Sequence, residues 1–226
     1  MIKVAPEGHP FILGCLFFTA IVSIIFLWYG KTGNSSFVSF TLFAVTVVSL
    51  VLTGFMVFFF RDPDRVVPEG KGVLVSPADG KVIVVRNAYE DTFLDAETKQ
   101  VSIFMSPLNV HVNRSPCDGK VLSVHYSPGK YMAAYKEEAS LQNEHISMVL
   151  ETEWGNILVR QVAGSVARRA VCRASAGDFL NRGQRYGIIK FSSRLDIFLP
   201  KDCTIKVKRG EKVKAGETVI GGFIHD

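Results

Sequence analysis

Few residues in this chain combine the side-chain type and the setting that covalent or proton-transfer chemistry needs. Ser192 and Ser193 stand between two apolar segments in Tyr186-Gly-Ile-Ile-Lys-Phe-Ser-Ser-Arg-Leu-Asp-Ile-Phe-Leu-Pro200. By pattern this is a serine-containing turn, and a hydroxyl there becomes a nucleophile only when a base is brought to it. His111 lies in a polar extended run, Asn109-Val-His-Val-Asn-Arg-Ser-Pro116. Histidine is the side-chain type that exchanges protons near neutral pH, which makes it the first base to consider. Asp79 sits in Pro77-Ala-Asp-Gly80, a segment that recurs as Pro116-Cys-Asp-Gly119. Each copy feeds a strand, and Asp-Gly is a favoured turn pair, so turn formation alone accounts for both.

Other chemistries are poorly represented. The histidines, His9, His111, His125, His145 and His225, form no H-E-x-x-H and no cluster with cysteine at ligand spacing, so no metal site is expected. Gly-rich phosphate loops and dinucleotide fingerprints are missing. Gly164-Ser165 lacks the second glycine of a nucleophile elbow. Cys15, Cys117, Cys172 and Cys203 are scattered and read as reduced thiols. The net charge of +5 is mild, and without basic runs interleaved with aromatics it points away from nucleic acid. It suits a domain lying against anionic headgroups, or simply a soluble surface.

The elements that must position these residues are mostly strands. Val73–Val75, Lys81–Arg86, Gln100–Met105, Lys120–His125, Ile146–Glu151, Ile157–Val162, Ile188–Phe191, Leu195–Leu199 and Ile205–Lys208 alternate or run apolar between turn residues. Ser165–Val171 fits strand or short helix. Tyr131–Tyr135 with the charged stretch after it is the best helix candidate. Gly210–Gly221 reads as a hairpin of two paired, glycine-bounded segments, lipoyl-like in outline. The fold class is therefore mainly β (α+β), an antiparallel sandwich- or barrel-like domain.

Ahead of it lie two uncharged stretches, Phe11–Tyr29 and Phe37–Phe60. Each is long enough to cross a hydrocarbon core as a helix. A cleaved signal peptide fits poorly, because a second apolar run follows the first. The turn-like connector Gly30–Ser36 makes a transmembrane hairpin, giving expected domains of 1–60 and 61–226. Lys3, Arg61, Arg65 and Lys71 outside the hairpin against Lys31 inside it place both ends in the cytoplasm.

The chain resembles the phosphatidylserine decarboxylases, specifically the short, membrane-anchored prokaryotic class. The resemblance rests on an ordered set: Phe59-Phe-Arg-Asp-Pro-Asp-Arg65, Ser76-Pro-Ala-Asp-Gly80, Asn109-Val-His-Val-Asn-Arg114 with Pro116, and Asn143-Glu144. It continues through Arg160-Gln-Val-Ala-Gly164 with Ala167-Arg-Arg169, Gly183-Gln-Arg-Tyr-Gly187, and Ser193-Arg-Leu-Asp-Ile-Phe-Leu-Pro200. It implies that Ser193 attacks the carbonyl of Ser192, that elimination cuts the chain between 192 and 193, and that Ser193 becomes a pyruvoyl group. Chains 1–192 and 193–226 would stay together as a heterodimer, with further oligomerisation left open. The pyruvoyl ketone would then accept electrons as the serine headgroup of phosphatidylserine loses carbon dioxide, giving phosphatidylethanolamine at the cytoplasmic membrane without metal or external cofactor. Asp79 and His111 are implied to assist the Ser193 attack.

Two departures stand out. The long bacterial members carry two histidines before the Pro-x-x-Gly turn, whereas this chain has His111 and, at the other position, Arg114. The family normally has Gly-Ser at the scissile bond, and this chain has Ser192-Ser193. Gly164-Ser165, the only Gly-Ser pair, sits in a stretch that the family keeps intact. Ser192 keeps a second class in view, a non-processed membrane-anchored module that binds lipid or protein. A lipoyl or biotinyl carrier fits less well, since the Gly210–Gly221 segment lacks a Met-Lys-Met-like tip.

Overall fold

Residues 3–33, 35–136, 138–165, 169–191 and 193–223 are described by the computed structural model. They fall into two units, Met1–Pro63 and Asp64–Asp226.

The first unit is a pair of helices, α1 (His9–Thr32) and α2 (Ser36–Phe59). Twenty-four helical residues extend about 36 Å, enough to cross a bilayer core. The contacts Phe11–Phe60, Thr19–Thr53 and Phe26–Phe43 run in opposite directions along the two helices, so they pack antiparallel. Thr19 and Thr53 share a hydroxyl hydrogen bond of 3.1 Å. Thr46 and Thr53 return their hydroxyls to carbonyls one turn back, which leaves little polar surface to solvate. Only 11% and 17% of the most apolar windows are buried, and Phe17, Leu27, Phe40 and Val51 point outward. A core helix of a soluble protein would hide these side chains; here the apolar surface is left for lipid.

The second unit is built from antiparallel strands. In chain order these are β1 (Val73–Val75), β2 (Gly80–Glu90), β3 (Ala96–Met105), β4 (Val112–Arg114), β5 (Gly119–Ser127), β6 (His145–Thr152) and β7 (Gly155–Ala163). After them come β8 (Ala170–Cys172), β9 (Phe179–Leu180), β10 (Arg185–Ile189), β11 (Ser193–Pro200), β12 (Thr204–Ile205), β13 (Lys212–Val213) and β14 (Val219–Gly222). Eight of them form one sheet, curled into half a barrel, in the order β13-β2-β3-β11-β7-β6-β5-β9. Two small sheets, β1-β14-β12 and β4-β10-β8, complete the unit. Alternate residues of the large sheet, among them Val101, Ile103, Val159, Leu195 and Ile197, meet Leu74, Ile189 and Ile220 of the small sheets in one core.

The repeated Pro-x-Asp-Gly turn is the visible part of an internal duplication. Ser76 and Ser115 each bond the carbonyl two residues on, at 2.7 Å. Arg114 N donates to Pro77 O and Val75 N to Pro116 O, both at 2.9 Å. Gly216 N and Gly183 N donate to Ser76 O and Ser115 O, both at 2.8 Å. Asp79 Oδ1 accepts from Ala215 N and Asp118 Oδ1 from Arg182 N, again at 2.8 Å. Exchanging β2 with β5, β3 with β6, β11 with β7 and β13 with β9 reproduces the eight-strand order, and the small sheets exchange likewise. The unit thus has a pseudo-twofold relation whose axis runs between β7 and β11.

Two expectations are corrected. The halves of Gly210–Gly221 do not pair with each other: β13 joins β2, and β14 joins β1 and β12. The turn between them is drawn onto Ser76–Gly80 by the Gly216 and Ala215 N–H groups, and Gly216 holds φ +74°, which glycine adopts without strain. Tyr131–Tyr135 is not helical; the helix is a single turn, α3 (Ala139–Gln142). Asn143 bonds both Met132 N and Met132 O through its side chain, at 2.9 and 2.8 Å, and so takes the groups that a helix would need, leaving a turn closed by Lys136 N on Ala133 O. Ser165–Val171 resolves toward strand β8 at its end, with 166–168 outside the described residues.

A Cβ on Gly80 would collide with the Phe104 carbonyl oxygen of the neighbouring strand. Gly80→Ala is therefore expected to destabilise the second unit by about 1–3 kcal/mol, read as a lowered Cm in urea with unchanged m.

Candidate active site

Ser193 opens β11 at the middle of the large sheet, directly opposite Met105 of β3 on one side and Ala163 of β7 on the other. It is fully buried. Ser193, Leu195 and Ile197 face the core, whereas Arg194, Asp196 and Phe198 face the opposite way, as strand geometry requires. The row continues past Ala163, whose N–H donates to Glu144 O at 2.9 Å, so Met105, Ser193, Ala163 and Glu144 lie side by side.

Ser193 Oγ donates to Met105 Sδ at 3.4 Å. The same sulfur receives Asn113 Nδ2 at 3.7 Å, and Asn113 Oδ1 accepts from Gln161 Nε2 at 2.8 Å. A thioether is a weak acceptor, so the hydroxyl is held in place without being engaged by a strong partner. His111 lies two residues before Asn113, just ahead of β4, and is fully buried. Its Nδ1 is 3.0 Å from Asn109 O. A carbonyl only accepts, so the neutral ring carries its proton on Nδ1 and keeps the basic lone pair on Nε2. His111 O accepts from Ile189 N at 3.3 Å, tying β4 to the strand that leads into Ser193.

Asp79 is placed elsewhere. Its carboxylate takes both hydrogen bonds of Arg65 Nη2, at 3.0 and 2.9 Å, and that of Ala215 N. Asn113, two residues after His111, and Ser193 both bond Met105 Sδ, whereas Asp79 is bonded to Arg65 and Ala215 N. Arg114, at the second family histidine position, donates through Nη1 to Gly183 O at 2.9 Å. Ser192 lies outside the described residues. Phe191, just before it, holds φ +58°. For a bulky side chain this left-handed backbone is strained by roughly 1–2 kcal/mol.

Behind Ser193, the other face of the sheet carries a buried polar network that pattern reading missed. Arg194 Nε meets Asp196 Oδ1 at 2.6 Å, and Nη2 meets Ser102 Oγ at 2.9 Å. Arg194 Nη1 holds Lys136 O at 3.1 Å, and Ser140 Oγ donates to Asp196 Oδ2 at 2.5 Å. Arg160 pairs with Glu90 at 2.9 Å and bonds Ser147 at 3.2 Å. Period-2 polarity in Gln100-Val-Ser102 and Arg194-Leu-Asp196 was the available signal. Burial holds the His145 imidazole below its usual pKa, helped by the Arg160 charge and opposed by the Asn143 carbonyl and Asp196. Burial also raises the Cys117 thiol to about 12 and that of Cys203 to about 11, so both stay protonated and unreactive. Among the described residues no group of three or more His, Cys, Asp and Glu side chains is arranged to hold a metal ion.

From residue 52 to residue 221 the chain matches the phosphatidylserine decarboxylase family model. The chain belongs to the phosphatidylserine decarboxylase family. It is similar to the phosphatidylserine decarboxylase proenzyme of Geotalea uraniireducens strain Rf4, 44% identical over 219 residues that cover 96% of this chain and 95% of the relative. That of Geobacter sp. strain M21 is 47% identical over the same shares of each chain. That of Desulfotalea psychrophila is 41% identical over 99% of this chain and 98% of the relative. By this similarity the chain is a carboxy-lyase proenzyme acting on phosphatidylserine. Phosphatidylserine decarboxylase proenzymes carry a pyruvoyl group made from a serine by self-cleavage, which divides the proenzyme into two chains. The surroundings of Ser193 fit such a group: small Ala163 on one side, flexible Met105 on the other, and the Asn113 amide on the same Met105 sulfur.

A histidine whose folded pKa is depressed binds its proton more readily once unfolded. Its contribution is present above the unfolded value near 6.5 and is lost as pH falls toward the folded value. The stability of the decarboxylase, read as Tm, is expected to fall as pH is lowered below about 6.5, and His145→Gln to flatten that part of the profile.

Proposed function

We propose that Ser193 is the self-cleavage serine of this decarboxylase and the precursor of its pyruvoyl group. The observation that carries this reading is the placement of Ser193 in a dry, fully paired row beside the left-handed backbone at Phe191. In this reading Ser193 Oγ attacks the carbonyl carbon of Ser192 and its proton passes to His111 Nε2. The C–N bond breaks, the proton returns to the departing nitrogen, and an ester replaces the amide. Loss of the Ser193 Cα proton expels the Ser192 carboxylate, and water then replaces the amino group of the dehydroalanine, releasing ammonia. The strain at Phe191 offsets part of the barrier that glycine would lower at position 192.

Asp79 acts at a distance, as a positioning residue. It fixes the Ser76–Gly80 turn, whose Pro77 carbonyl holds Arg114 N and so the strand that bears Asn113 and follows His111. Once formed, the pyruvoyl group supplies the electron sink for decarboxylation. The new chain 193–226 stays in place because β11 is paired along its length with β3 and along most of it with β7. The two helices anchor the enzyme in the cytoplasmic membrane with the catalytic unit on the cytoplasmic face, since the basic residues flank the hairpin on that side. This keeps the site near the headgroups of its lipid substrate.

Intact mass and denaturing electrophoresis test the assignment: fragments 1–192 and 193–226, the second with a blocked terminus, are expected, and Ser193→Ala is expected to run as one band. A wild-type chain that stays whole, or is cut elsewhere, would falsify it. Phe191→Pro, with φ locked near −65°, is expected to stop cleavage, whereas Phe191→Gly retains it. Removing residues 1–60 is expected to lower turnover on vesicles by tenfold or more while leaving self-cleavage intact; equal loss of both would contradict the anchoring role.

A further inference from the structure

Glu144 is buried at 4% exposure, yet its carboxylate is only half engaged. Oε2 accepts the Tyr131 hydroxyl at 2.6 Å, and Oε1 has no hydrogen-bond partner among the described residues. The fold does not need this carboxylate. The backbone of Glu144 does the stitching, with its carbonyl on Ala163 N and its N–H on Lys130 O at 3.0 Å. A buried carboxylate oxygen without a donor costs about 1–3 kcal/mol, and a buried charge without a counterion costs more. Such an arrangement is retained where a ligand completes it.

Its place says which ligand. Glu144 is in register with Ala163, which is in register with Ser193, and residues in register across neighbouring strands share a face of the sheet. The backbones of Glu144 and Ser193 are two strand spacings apart, about 10 Å. In the register between them stands Ala163, whose side chain is a single methyl group. Resting on the reading of Ser193 given above, we propose that Glu144 recognises the ammonium group of the serine headgroup and takes one of its protons on Oε1. The ammonium becomes a neutral amine whose nitrogen lone pair is free to attack a carbonyl carbon. Tyr131, donating to Oε2, fixes the carboxylate so that Oε1 faces the headgroup, and Asn143 fixes the Tyr131 segment through Met132. Nothing in this arrangement serves self-cleavage, which needs no substrate amine.

The full-length Glu144→Gln enzyme separates these roles. It is expected to cleave itself fully and to give a 193–226 chain that phenylhydrazine labels as completely as the wild type. At pH 7 its decarboxylation of phosphatidylserine vesicles is expected to fall about 100-fold, within the usual range for a lost acid–base group. Between pH 7 and 9 its rate is expected to climb about tenfold per unit, following the neutral amine supplied by solution, whereas the wild-type rate does not. Tyr131→Phe, which keeps the carboxylate, is expected to lose only several-fold and to keep the wild-type pH profile. A Glu144→Gln enzyme with the wild-type rate overturns the proposal. So does one that fails to process, which assigns Glu144 to folding or cleavage, or one that is slow at every pH alike, which assigns it a structural role. If phenylhydrazine leaves the wild-type 193–226 chain unlabelled, the Ser193 reading itself falls, and this inference with it.

Discussion

The pairing of β11 between β3 and β7 is the interaction on which the rest of this enzyme depends. A strand in the middle of a sheet is held by hydrogen bonds on both edges and by side chains on both faces. Ser193, the proposed nucleophile, is the first residue of that strand, so it is fixed while the backbone just before it is strained at Phe191. In the proposed reading, order on one side of the 192–193 bond and strain on the other favour an acyl shift at that bond over its neighbours. The same pairing lets a cut chain remain one folded body, because the small piece keeps its ladder partners after the covalent link is gone.

The two faces of β11 carry different duties. Its inward residues build the apolar core and the dry row of Met105, Ser193, Ala163 and Glu144. Its outward residues, Arg194 and Asp196, are fully buried ions that pair with each other and with Ser102, Ser140 and Lys136 O. Buried ion pairs of this kind add little net stability, since desolvation offsets the attraction, but they tolerate few alternative arrangements. Here they tie the loop between β5 and β6 to the residues that follow Ser193. The loop that supplies Tyr131 to Glu144 is thereby registered against Ser193.

The pseudo-twofold relation explains which parts of the turn chemistry are structural. Asp79 and Asp118 perform the same backbone duty in equivalent turns, each accepting the N–H of the residue before the glycine, Gly216 or Gly183, that bonds the same turn. A feature repeated on both sides of the axis is explained by folding. What distinguishes Asp79 is the buried pair with Arg65, whose side chains are 7% and 11% exposed. Arg65 also reaches Glu217 at 3.4 Å, so the segment that enters the catalytic unit is closed onto the same turn.

Local chemistry decided what the sequence by itself determined. Charge-free length marked the two helices, period-2 alternation marked nearly every long strand, and the ordered motifs pointed to the family and to Ser193. These signals are legible because each depends on residues close together in the chain. The short strands β4, β9 and β13 were not legible, since two or three residues carry no periodicity and owe their pairing to a distant edge. Tyr131–Tyr135 read as helix until the Asn143 side chain, eight or more residues away, claimed its backbone. Gly210–Gly221 read as a hairpin until each half met a different sheet. The site divides in the same way. Ser193 and His111 were visible as types in a setting, but the row that joins Ser193 to Met105, Ala163 and Glu144 exists only in the register of four strands. Asp79 was named from its motif, and only the tertiary structure showed that its carboxylate is occupied by Arg65 and Ala215. Register and burial are properties of the assembled sheet, so these assignments came from the tertiary structure alone.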